Sequence, residues 1–262
     1  MPALYFGQSQ SALLGVFSEA AANVRRDHGV VLCPPIGQEH VRSHWAMRQL
    51  SVALNKAGFD CLRFDWFGVG DSAGELHEAT LARWAEDLVA AKDELRDASG
   101  VRDVSLVGLR FGATLAALGA EEVDAANVVL WDPVVFGNRF VRSLRLLTDS
   151  LTTDSLRYFE ASGRAERPPS ELVGFDYGSS LLREIESVDL TERVPDAPLC
   201  LVRSFRSLEL EALGRRLRDA KDATVRDVTL DSRWVSPDDV EELLLPGDAL
   251  RAVTAYLEER TS

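Results

Sequence analysis

The sequence predicts an α/β protein, a mostly parallel sheet covered by helices on both faces. Short apolar runs of strand length alternate with longer, helix-length amphipathic stretches. Several of the short runs are apolar throughout, as strands buried on both faces are. The chain has 262 residues, of which 46% are hydrophobic. A chain of that size buries roughly 75% of its unfolded surface, so it needs neither disulfide nor metal to hold a core.

In order, Leu4-Tyr5-Phe6 and Leu13 to Phe17 read as an opening β pair. Gly29-Val30-Val31-Leu32-Cys33 is a buried strand stopped by Pro34-Pro35. Residues 39 to 57 carry Val41, Trp45, Leu50 and Leu54 near helical spacing, and Gly58 ends that helix. Cys61 to Asp65 is the next strand and runs into the turn Gly68-Val69-Gly70-Asp71-Ser72. A helix over 79 to 97 follows, with Trp84, Leu88 and Leu95 on its apolar face. Val104 to Val107 is a central strand, and an Ala-rich helix runs from Arg110 to about Ala120. Val128 to Trp131 is a strand closed by Asp132-Pro133, Pro198 to Val202 and Val225 to Leu230 are two more, and a helix from Pro246 to Arg260 finishes the chain. This makes an eight-stranded sheet. Residues 137 to 190 break the rhythm, being too long for a simple crossover. They are expected to form an inserted helical lid over the strand ends, leaving 1–136 and 191–262 as the core.

The net charge of −13 excludes nucleic acid and anionic membranes as natural partners. No apolar run reaches the ~20 residues of a membrane span. The N-terminus lacks a basic start followed by an apolar block, so no signal peptide is expected. Cys33, Cys61 and Cys200 are widely spaced and each lies in or beside an apolar run, which points to buried free thiols and a cytoplasmic location. Oligomeric state is not readable.

The string GLRFGATLAA, residues 108 to 117, follows the central strand. Strand, G-x-?-x-G, helix is the layout of a nucleophile elbow, but its middle residue is Arg110 where a serine is usual. VVLCPPIGQEH, RFDWFGVGDSAG, VGLRFGATLA and LWDPVVFG, in that order, resemble the α/β-hydrolase superfamily. Within it, G-L-R-x-G-A resembles a serine-aminopeptidase-like, exosortase-associated subgroup that accompanies acyl-activating and carrier-protein systems. The resemblance covers residues 1 to about 135 well and implies an eight-stranded α/β-hydrolase fold with a lid. It also implies work on acyl-type substrates in bacterial biosynthetic metabolism. The PPIG loop implies oxyanion contacts from the N–H groups of Ile36 and Gly37, joined by that of Phe111.

A serine hydrolase needs an alcohol, an imidazole and a carboxylate, in the chain order Ser, acid, His. The four histidines are His28, His40, His44 and His77, and all precede Arg110. Leu230 to Val235, where the base is expected, holds none. After the seventh strand, Glu209 is the nearest acid, and its place fits the next helix better. Arg110 cannot attack, because a guanidinium stays protonated. Two roles stay open for it. It plugs the site, paired with Asp65, Asp71 or Asp132, or it forks a carboxylate, phosphate or developing oxyanion together with the amides of the following helix. Pairing with Asp132 predicts a bidentate contact.

His40 and His44 stand four apart on one helix face, and either is a candidate base. The alternative is a structural role, tied to backbone or to Glu39. No H-E-x-x-H pattern or third ligand accompanies them, so no metal is expected, and no cofactor is implied. Cys33 reads as a buried thiol, and Asp65 and Asp71 as builders of the glycine turn. Two functions remain open. One is an enzyme acting on an ester, thioester or cyclising acyl chain without a covalent serine. The other is a non-catalytic relative that binds a small acid, an acyl chain or a protein partner.

Overall fold

The computed structural model describes residues 3–153, 168–218, 220, 222–229 and 247–261. The first strands are β1 (Ala3–Phe6), β2 (Leu13–Ser18), β3 (His28–Cys33) and β4 (Asp60–Phe64), with helix α1 (Gly37–Lys56) between the last two. Then follow α2 (Leu81–Ser99), β5 (Asp103–Leu109), α3 (Phe111–Gly119), β6 (Val128–Trp131) and α4 (Gly137–Thr153). The two-residue strands β7 (Glu171–Leu172) and β8 (Phe175–Asp176) form a small hairpin. The chain continues through α5 (Ser179–Glu186), β9 (Leu199–Arg203), α6 (Leu208–Leu217), β10 (Ala223–Asp227) and α7 (Gly247–Arg260).

The eight strands of the main sheet lie in the order β1-β2-β4-β3-β5-β6-β9-β10. Pairings β1–β2 and β2–β4 are antiparallel, and the rest are parallel. The expected sheet is therefore present. Its strands depart from the sequence reading by one or two residues at most ends, and β10 begins earlier than expected. Between β6 and β9 the structure adds the β7–β8 hairpin to the expected helices; residues 154–167 lie outside the described residues.

Side chains of β3 and β5 alternate between two cores, which is why their sequences are apolar throughout. On one face Met47, Leu50 and Leu54 of α1 meet Val253 and Leu257 of α7. On the other, Leu88 and Leu95 of α2, Ala116 of α3 and Leu213 of α6 cover the sheet. At the strands' amino ends, His28 is buried and bonds Ser105 Oγ (2.7 Å), so it is structural.

Helix α2 clamps the turn after β4. Thr80 caps it through Arg83 N–H, Trp84 Nε1 donates to the Phe67 carbonyl, and Asp87 accepts Phe67 N–H (2.8 Å). Asp87 is wholly buried, with Arg83 2.9 Å away, and burial pushes its carboxyl up to about 6. The native state therefore takes up a proton that the unfolded chain, with an ordinary carboxyl near ~4, does not hold. The Asp87 contribution to stability must decline as pH rises through about 4 to 6. Chemical denaturation across that window is expected to show the wild type losing stability relative to Asp87→Asn; a flat or rising difference contradicts the assignment.

Candidate functional site

Residue 110 stands at the sharp turn from β5 into α3, with φ 53° and ψ −124°. That is a rare conformation for a residue with a side chain, and it throws the side chain out beyond the sheet. The flanking glycines serve the turn by their lack of bulk. A Cβ on Gly108 would lie 2.3 Å from Ala113 Cα, and one on Gly112 would lie 2.2 Å from the Pro34 carbonyl oxygen. The G-x-R-x-G string is thus a packing requirement, whatever its middle residue does.

The Arg110 side chain is 12% exposed and its counter-ion is Glu39, on the first turn of α1. Nε donates to Glu39 Oε1 (2.9 Å), and Nη1 donates to the backbone carbonyl of Asp132 (3.0 Å). The guanidinium carbon lies 5.9 Å from the centre of the Phe205 ring. Glu39 is 3% exposed, and its buried Oε2 has no hydrogen-bond partner among the described residues.

This corrects the expected bidentate pair with Asp132. The Asp132 carboxylate turns instead to the end of β9, accepting Ser204 N–H (2.8 Å) and a short bond from Ser204 Oγ. Asp132 itself sits at φ 45°, a backbone turn that aims its carbonyl, not its side chain, at Arg110.

Arg110 lines a cavity of about 260 Å³. Its walls are Pro133, Val134, Arg139, Phe140 and Ser143 on one side and Phe205, Ser207, Glu209 and Leu210 on the other. Helix α4 and the start of α6 therefore frame it. Glu209 belongs to α6, as its place in the sequence indicated, and lies 3.4 Å from Arg139 Nη1.

The candidate bases do not join this cavity. His40 and His44 line a separate one of about 160 Å³, with Asp65 and Asp71. Residues 39 and 40 diverge because each step along a helix turns about 100°. His40 Nε2 is 3.5 Å from Asp65 Oδ1, and burial holds its imidazole below the ordinary value while Asp65 opposes that shift. His44 is exposed. Among the described residues no three His, Cys, Asp or Glu side chains are grouped to hold a metal. Asp65 and Asp71 build the turn as expected: Asp65 Oδ2 accepts Asp71 N–H, and Ser72 Oγ donates to the Asp65 carbonyl.

Ile36 and Gly37 form the N-terminus of α1, and Phe111 opens α3, so their amides are those that a helix leaves open. Phe111 is buried and stacks on Phe140 with ring centres 5.7 Å apart. Gly37 is covered by Tyr177, whose hydroxyl would lie 2.1 Å from an added Cβ. Tyr177 is 1% exposed, and burial, with Glu39 adding, holds its phenol above its usual range. Cys33 is a buried free thiol whose ionisation burial opposes.

The sequence reading named neither Glu39 as the Arg110 partner nor Ser204 as the Asp132 partner. The sequence signal for Glu39 is its place as the acid in the first turn after the PPIG loop.

Over 58 residues the chain is 40% identical to the mitochondrial palmitoyl-protein thioesterase ABHD10 of Homo sapiens, a match spanning 22% of this chain and 18% of that protein. Est1E from Butyrivibrio proteoclasticus has a similar structure, with a TM-score of 0.65 at 17% identity over 98% of this chain and 96% of that one. Alpha/beta hydrolase domain-containing protein 10 from mouse gives a TM-score of 0.58 at 15% identity over 99% of this chain and 98% of its own. At such identities the structural likeness is one of fold. The match to the alpha/beta hydrolase family runs through residues 15–259, which take in the sheet from β2 to β10 and the turn that carries Arg110, and the chain belongs to that family.

Proposed function

We propose that this protein binds an acyl-type ligand (a small acid, ester or thioester) without covalent attachment, in the cavity against Arg110. The observation that carries the reading is the guanidinium at the elbow, anchored by Glu39 and the Asp132 carbonyl while still lining the cavity. Those two bonds use Nε and Nη1. Among the described residues Nη2 makes no bond, which leaves it for a carboxylate or a carbonyl oxygen. Ser143 and Ser207 add hydroxyls, and Val134, Phe140 and Leu210 offer an apolar wall to a hydrocarbon chain. The usual triad is read as degenerate. No histidine follows His77 in the sequence, and the earlier His40 and His44 serve another cavity. Residues 137–190 are read as a lid on the core, since α4 supplies one wall. The thioesterase named among the relatives acts on palmitoyl-protein, which favours acyl chemistry for the ligand. The buried free cysteines favour the cytoplasm.

A catalytic version has one observation in its favour, the Glu39 Oε2 beside Arg110, unpartnered among the described residues, a carboxylate placed to carry a proton. Thermal shift and titration with hexanoate and with a hexanoyl thioester separate the readings. Binding is expected without thiol release, and about tenfold weaker in Arg110→Gln, as for loss of a charged hydrogen bond. Ser143→Phe, which fills the cavity and spares the ion pair, is expected to block binding too. Thiol release abolished by Glu39→Gln would establish the enzyme instead. Labelling by a fluorophosphonate, or binding indifferent to both variants, overturns the proposal.

A further inference from the structure

One residue along α1 from Glu39, the second cavity opens between α1 and strands β2, β3 and β4. Its polar wall holds His40, His44 and Arg63, with Asp71 also lining it. Its apolar wall is Val16, Leu32, Met47 and Phe64. Arg63 is a cation set into a sheet, registered between Val16 of β2 and Leu32 of β3. Among the described residues its guanidinium makes no hydrogen bond and no ion pair, and its Nε is buried without a partner. Burial and the nearby Arg48 disfavour its charge, while Asp65 favours it from a distance. A half-buried cation whose Nε meets no acceptor among the described residues is costly, and a native protein that keeps one has something to meet it.

The neighbouring carboxylates make no bond to it, and Asp65 acts on it only through space. Asp65 accepts the Asp71 amide through Oδ2 and faces His40 through Oδ1. Asp71 is exposed. His40, His44 and Arg48 recur every four residues on α1, so one helix face presents two imidazoles and a guanidinium to the same side. The fork of Arg63 matches a planar carboxylate, and the apolar wall matches a short hydrocarbon.

We infer that this cavity binds a short-chain monocarboxylate, its head on Arg63 beside His44 and its hydrocarbon against Val16, Leu32 and Met47. This does not depend on the role of Arg110. With only four histidines, imidazole NMR reports the site directly. Butyrate is expected to shift the His40 and His44 signals and leave those of His28 and His77, with inorganic phosphate at matched ionic strength far weaker. Arg63→Met is expected to weaken butyrate about tenfold. Ser143→Phe, which occludes only the Arg110 cavity, should leave the titration unchanged. Phosphate as effective as butyrate, an Arg63→Met titration like the wild type, or shifts lost in Ser143→Phe would each overturn the assignment, and the wild-type titration decides even if Arg63→Met does not fold.

Discussion

Glu39→Ala is expected to destabilise the protein by about 2–4 kcal/mol, seen as a melting temperature lower by roughly 5–12 °C. The cause is what the substitution leaves behind. Arg110 stays fixed by a strained turn, 12% exposed, with its Nη1 still donating to the Asp132 carbonyl. A buried charge stripped of its partner costs more than the intact pair contributes. The double variant Glu39→Leu with Arg110→Leu should therefore recover most of the loss, because two well-packed apolar groups replace a desolvated pair. A double-mutant cycle reads the coupling directly. If Glu39→Ala melts like the wild type, Arg110 has another counter-ion and the geometry of the elbow is not as described. Partial exposure of the guanidinium keeps the expected loss below that of a wholly buried pair.

The same pair shows what the sequence could and could not disclose. The strands were legible because a parallel strand covered on both faces must be apolar along its whole length, as GVVLC and VVLW are. The elbow was legible because its two glycines are demanded by backbone atoms 2.2–2.3 Å from where a Cβ would sit. The partner of Arg110 was not. Glu39 is 71 residues away in sequence. Choosing it over His40 requires the helix phase to within one residue, which hydrophobic spacing does not fix. The Asp132 error had a similar origin. Proximity at the strand end was inferred correctly, but the positive φ that presents the carbonyl in place of the carboxylate leaves no mark in composition. The β7–β8 hairpin was missed because two-residue strands carry no periodicity to read.

Asp132→Ala is expected to cost about 3–5 kcal/mol, more than a typical surface acid by far. The carboxylate is fully buried and ties the ends of two adjacent parallel strands, β6 through its own backbone and β9 through Ser204. Removing it leaves the buried Ser204 N–H without its acceptor, and alanine resists the φ of 45° that asparagine or aspartate accepts. Asp132→Asn should accordingly lose much less, since the side-chain oxygen still takes the amide and the hydroxyl of Ser204 can turn to accept from the new NH₂. Ser204→Ala removes one of the two bonds and should fall between. The ordering Ala, then Ser204→Ala, then Asn, from most to least damaging in urea denaturation, identifies Asp132 as a strand tie. Asp132→Ala and Asp132→Asn equal in stability but alike in abolishing hexanoate binding would instead make the carboxylate part of the ligand site. The distinction matters for Arg110, because the carbonyl that holds Nη1 belongs to the same residue. A slack Asp132 turn should loosen the guanidinium, so ligand affinity should fall in Asp132→Ala and persist in Asp132→Asn.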